Sequence, residues 1–165
     1  MGHLEQLISE NLTLFLALFL FSEFSIFLVI LLISIFLIFK KDKVDLKTFL
    51  LRLVFCSLVL FILKISLDNL WGRERPYLIF SSEIFKSLFP QDKNFISGHS
   101  SFGLMLSLLS FYLSPALGYV NIFISILGSI SRVILLIHWP QDIILGWWLS
   151  FFIFIISVYL FKKKR

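Results

Sequence analysis

The segment SRVILLIHWPQD, residues 131–142, sets an arginine, a histidine and an aspartate near the end of a chain that is 59% hydrophobic. Pro140 suits the first position of a helix, which puts Asp142 in the first turn and His138 just before it. An aspartate so placed can accept a proton from one imidazole nitrogen and fix the tautomer, leaving the other nitrogen free for nucleophilic attack. Arg132 is followed by five apolar residues, and facing lipid there would cost roughly 2.5–3.5 kcal/mol, so it must face the interior or a wet cavity. The same residues also allow a purely structural reading, with Arg132 paired to Asp142 as interhelical glue.

Two further clusters carry comparable chemistry. In FISGHSSFG, Ser97 can cap a helix that begins near His99, and Gly98 allows close approach of a ligand to the backbone. The free N–H groups and positive dipole end of such a helix favour a phosphate, with His99 at the same mouth. An ordinary capped helix with an interfacial histidine is the plainer alternative. In WGRERPY, Arg73 and Arg75 offer the paired donors that bind phosphate oxygens. The alternative there is an interfacial anchor, with Trp71 and Tyr77 in an aromatic belt. Convergence favours the chemical readings: two arginines, an anion-binding helix mouth and two histidines amount to a phosphate cradle with a nucleophile and an acid.

These clusters need elements to hold them, and composition says which. Mean hydropathy is +0.97, and 15% of residues are charged, against about 25% in soluble domains. The expected fold is all-α, a single polytopic membrane bundle over residues 1–165. Runs 48–70, 116–137 and 141–161 are each long enough to span, and 100–113 makes a shorter helix ending before Pro115 and Gly118. Residues 4–39 read either as two short spans with a turn at Ser22 and Glu23 or as one long tilted helix with a polar blemish there; the two-span reading is favoured and gives six transmembrane helices. MGHLEQ lacks Lys and Arg, and no small-residue cleavage site follows, so no removable signal peptide is expected.

Basic residues collect at the ends of apolar runs, at Lys40, Lys41, Lys43 and Lys47 and in the tail KKKR. That is a topology pattern and not a nucleic-acid stripe. Four spans separate the two groups, so both fall on one face, the cytoplasmic one, and the three polar clusters meet at the other. Cys56 is the only cysteine, which excludes an internal disulfide and a cysteine metal cluster.

The three clusters together resemble the signature of the type 2 phosphatidic acid phosphatase family, which shares its site with vanadium-dependent haloperoxidases. The matching pieces are Arg75-Pro76, Ser97-Gly98-His99, and Ser131-Arg132 followed by His138 and Asp142. Nineteen residues separate Pro76 from Ile96, and 31 separate His99 from Ser131. The resemblance spans residues 64–142 and departs at two places. Asp68 stands where the family has a lysine seven residues before Arg75, with Lys64 one turn earlier, and Ile96 stands where proline is usual.

What the resemblance implies is a metal-independent lipid phosphatase of the bacterial cytoplasmic membrane, with six helices and its active site at the periplasmic or outer face. His138 would attack phosphorus to form a phosphohistidine, Asp142 would orient its ring, and His99 would protonate the leaving oxygen. Arg75, Arg132, Ser97 and Gly98 would hold the phosphate, with Lys64 and Arg73 as further candidates. No cofactor, metal or nucleic acid enters; the partners are the bilayer and a lipid phosphate. Three histidines, one of them His3, cannot build a usual His-rich zinc site. The family's bacterial substrates include phosphatidylglycerol phosphate, undecaprenyl diphosphate and lipid A 1-phosphate, and resemblance to minimal six-helix members leans the reading to the last. The non-enzyme rival is a small ion channel or transporter lined by Arg132, Asp142, Lys64 and Asp68.

Overall fold

A computed structural model describes residues 10–40, 45–80 and 93–162. Lys41, Lys43, the first nine residues, including His3, and the last three lie outside the described residues. The helices in order are α1 (Leu12–Lys40), α2 (Leu46–Trp71), α3 (Pro76–Phe80), α4 (Gly98–Ser110), α5 (Pro115–Ile134) and α6 (Pro140–Leu160). Among the described residues four helices, α1, α2, α5 and α6, are long and apolar enough to cross a membrane. Their exposed faces are rows of large apolar side chains such as Phe27, Ile38, Val54, Phe123 and Phe152, a surface suited to lipid.

Here the structure departs from the sequence reading. Residues 12–40 form one continuous helix, not a hairpin of two short spans, so among the described residues four long helices and the shorter α4 stand where six spans were expected. Ser22 and Glu23 make no turn because a helix already supplies their backbone bonds, and their side chains have a partner inside the bundle, Arg132. The apolar runs of the other expected spans became helices with nearly the expected limits.

Helix α4 is only 13 residues long, and it is the one the others surround, packing against α1, α2, α5 and α6. Small residues make this possible. A Cβ on Gly146 would come within 2.3 Å of the Ser101 hydroxyl, and one on Gly128 within 2.3 Å of the Ser25 hydroxyl, so these glycines set how closely α6 meets α4 and α5 meets α1. Serines then join the helices: Ser107 and Ser125 hydroxyls are 2.9 Å apart, Ser150 donates to the Ser101 carbonyl, and Asn121 donates to Ser110. The apolar core, including Val29, Phe49, Leu60, Met105, Leu109 and Ile153, fills the space between. A smaller cluster of Tyr77, Leu135 and Ile137 packs under Phe15, Leu18 and Phe19 of α1, roofing the end where the polar clusters lie.

Candidate active site

Backbone hydrogen bonds stitch the three clusters to one another at one end of the bundle. Tyr77 N–H donates to the Leu136 carbonyl at 3.0 Å, joining the first to the third, and Ser97 N–H donates to the Asp142 carbonyl at 3.3 Å, joining the second to the third. Arg73 and Asn94 exchange both backbone bonds, and the Trp139 indole N–H donates to the Glu74 carbonyl. The turn between α5 and α6 includes Leu136 at φ 56°, a left-handed conformation unusual for a branched side chain. Ile137 and His138 N–H groups both return to the Arg132 carbonyl there, so the strained turn is held from both sides.

His138 is 3% exposed. Its Nδ1 lies 3.6 Å from Asp142 Oδ2, one helical turn away as the spacing predicts and longer than a formed hydrogen bond. Burial pushes the imidazole down to about 4, with the Arg132 and Arg75 guanidinium charges adding to it and Asp142 opposing. The ring is therefore neutral at pH 7, the form a nucleophile requires. Asp142 is locked before it reaches His138: Oδ2 accepts from Trp139 N–H at 3.1 Å, and Oδ1 accepts from Arg73 Nη2 at 2.7 Å. Arg73 also donates to Gln141 at 3.0 Å and lies over the Trp139 ring. The sequence reading has Arg73 as a possible phosphate ligand; in the structure it is the anchor of Asp142.

Ser97 caps α4 as expected, accepting from Ser100 N–H, and its hydroxyl donates to the Ser100 hydroxyl at 3.0 Å. Gly98 and His99 open the helix, where first-turn N–H groups have no intrahelical acceptor. The feature pressed against Gly98 is Lys64, whose Cε would stand 2.9 Å from a Cβ there. Lys64 pairs with Asp68 on the next turn of α2. Asp68 does more: its Oδ1 accepts from Phe95 N–H at 2.8 Å and Ile96 N–H at 3.1 Å, tying the loop leading into Ser97 to α2. The carboxylate in the lysine's place thus holds the loop where proline is usual, and Lys64 reaches the rim of the site through it.

Arg132 is buried, and it does not pair with Asp142. Its Nη1 donates to the Ser22 carbonyl at 3.0 Å, to the Ser22 hydroxyl at 3.2 Å and to Glu23 Oε1 at 3.1 Å, while its Nε has no partner. Glu23 Oε2 stands 3.8 Å from His99 Nε2. Arg75 is also buried, with its charge felt at His99, His138 and Arg132. The structure therefore gathers His138, Asp142, His99, Arg75, Arg132, Ser97 and Gly98, adds Ser22, Glu23 and Gln141, and redirects Arg73. The sequence does carry a signal for Glu23: it is the sole charged residue between Leu12 and Phe39, and an ionisable residue inside an apolar run marks function by default. Among the described residues no group of three His, Cys, Asp or Glu side chains could hold a metal ion.

Comparison with known families agrees with this geometry. A family model described as the PAP2 superfamily matches residues 49–165, more than half of the chain and inclusive of all three clusters. No curated protein and no solved structure matched. Helix α1, with Glu23, lies outside the matched region.

Proposed function

The chain belongs to the PAP2 superfamily, and from that premise we propose that it is a metal-independent phosphatase hydrolysing a lipid phosphate monoester or diphosphate at the outer face of a bacterial cytoplasmic membrane. The observation that carries the reading is the pair of backbone bonds, Tyr77 to Leu136 and Ser97 to Asp142, which bring three sequence-distant clusters into one rigid site.

In this mechanism His138 Nε2 attacks phosphorus in line as the bond to the leaving oxygen breaks, and His99 gives that oxygen a proton. The phosphohistidine is then hydrolysed by water, whose proton His99 takes back. Asp142, held by Arg73, keeps the His138 Nδ1–H facing it. The guanidinium groups of Arg75 and Arg132, with the Gly98 backbone, meet the equatorial oxygens where charge is spread in the transition state. These cations take the part that a metal ion plays elsewhere. Ser97 contributes mainly by shaping the turn, since its hydroxyl is engaged with Ser100. Against an ion path stands the mutual pairing of Lys64 with Asp68 and Arg132 with Glu23.

The substrates to compare are lipid A 1-phosphate, phosphatidylglycerol phosphate and undecaprenyl diphosphate; with α1 a single helix, the resemblance to six-helix members no longer favours the first. Phosphate release by the purified protein in detergent with EDTA should occur on at least one of them, and inertness on all three would defeat the reading. The orientation has its own test. Cysteines replacing Lys93 and Lys47, both exposed, should react and stay silent, respectively, with an impermeant reagent on intact cells. The reverse pattern would invert the topology.

A further inference from the structure

His138 has a carboxylate assigned to it by sequence spacing, but His99 does not. The structure supplies one from α1. Glu23 divides its oxygens between two groups, Oε1 at 3.1 Å from Arg132 Nη1 and Oε2 at 3.8 Å from His99 Nε2. Its position is fixed by the same Arg132 nitrogen, which also holds the Ser22 carbonyl and hydroxyl, and by the close approach of α1 to α5 at Ser25 and Gly128.

We propose that Glu23 is the positioning residue of His99, orienting its ring and favouring the proton that it delivers to the leaving-group oxygen. The inference rests on the role given to His99 above. Among the described residues the charged groups facing His99 are Arg132 from α5, Arg75 from the segment before α3, and Glu23 from α1; Lys64 on α2, beside Gly98, is paired with Asp68. Burial and both guanidinium groups push the His99 imidazole down to about 4, and Glu23 is the one of these groups that opposes them, so the carboxylate favours the protonated ring against its surroundings.

Two details keep Glu23 compatible with bound phosphate. It uses only Nη1 of Arg132, whose Nε is without a partner and can turn to a ligand. The 3.8 Å gap to His99 is too long for a hydrogen bond, so the Nε2 proton is not committed to the carboxylate and can pass to the leaving oxygen. Glu23 itself neither gains nor loses a proton in the cycle.

The test compares wild type with Glu23→Gln by NMR titration of the His99 ring in detergent micelles, the signal being assigned by its loss in His99→Gln. The His99 midpoint should fall by about one pH unit in Glu23→Gln, a tenfold loss of proton affinity. In parallel, kcat at pH 7 should fall about tenfold or more on dioctanoylglycerol phosphate, whose alkoxide leaving group needs a proton. On p-nitrophenyl phosphate, whose leaving group departs unprotonated, it should fall less than about twofold. Glu23→Asp, which keeps the charge, should restore most of the midpoint, and Glu23→Ala, a second neutral variant, should show the same fall and serves should the Gln variant not fold. An unmoved His99 midpoint, or equal losses on both substrates, would overturn the inference. A wild type inert on every phosphate with a His99 midpoint that still shifts would instead defeat the phosphatase reading and leave the pairing standing.

Discussion

The bundle buries arginines at both ends, Arg132 and Arg75 at one and Arg52 at the other, and Arg132 and Arg52 are answered differently. Arg52 donates from Nη2 to the Phe161 carbonyl at 3.0 Å, where α6 ends, and its guanidinium lies 3.7 Å from the Tyr112 ring centroid. A helix-end carbonyl and an aromatic face meet this cation, whose Nε and Nη1 have no partner among the described residues, and neither offers a group that could react. Arg132 is answered by Ser22 and by a carboxylate that also faces a histidine, within reach of a second histidine and a second arginine. Burial of a charge is therefore common to both ends; what distinguishes the site is that its partners are themselves titratable and face a shared space.

The largest effect expected is at His138. His138→Ala should abolish turnover and the acid-labile phosphate trapped on the protein after brief exposure to labelled substrate, whereas Asp142→Ala, which removes only orientation, should leave measurable activity. Trapped phosphate persisting in His138→Ala would take the nucleophile's role from it.

Next comes the pair of arginines itself. Arg132→Ala or Arg75→Ala should lower kcat/KM by about 10² or more, in line with losing one well-placed donor to a transition-state oxygen. Arg52→Met should change kcat/KM by less than about twofold and lower the melting temperature in detergent, since it leaves the Phe161 carbonyl without its donor. Equal losses of activity at the two ends would erase the distinction drawn here.

The α2 pair gives a smaller, graded effect. Asp68→Ala frees the Phe95 and Ile96 N–H groups and should lower kcat/KM by about tenfold, because a displaced loop misplaces His99. Lys64→Ala should cost clearly less than Arg132→Ala. Should it prove as damaging in a folded protein, Lys64 contacts the phosphate directly.

The smallest effect is the pH response near neutrality. His138 acts as its neutral form, and its ionisation sits at about 4 in place of the usual 6.5. Lowering the pH from 7 to 5.5 should thus leave most of the nucleophile neutral, and the loss of kcat/KM that comes from protonating His138 should appear only as pH falls through about 4. An acid limb near 6.5 would place His138 in a wetter setting than its burial implies.

How much of this was legible follows the range of each interaction. The Ser97 cap, the helix start at Pro140 and the one-turn relation of His138 to Asp142 are local: spacing along one helix places the groups whatever surrounds them. The pairing of Lys64 with Asp68 is local in the same way, but Asp68's hold on Phe95 and Ile96 crosses from helix to loop and has no signature in spacing. The turn at Ser22 and Glu23 was misread because polarity inside an apolar run means either a chain reversal or an inward-facing partner, and only a neighbouring helix decides between them.

The sequence by itself determined a membrane bundle, because apolar runs of spanning length leave no other way to satisfy the backbone. It also determined which residues could form a phosphate site, because the residue types and intervals of the three clusters lie within short segments. Only the tertiary structure decided which cation meets which anion: Arg73 holds Asp142, Arg132 holds Glu23, and Asp68 holds the loop. Those choices depend on the depth and rotation of each helix against its neighbours, set where Gly128 meets Ser25 and Gly146 meets Ser101, and no spacing along a single helix encodes them.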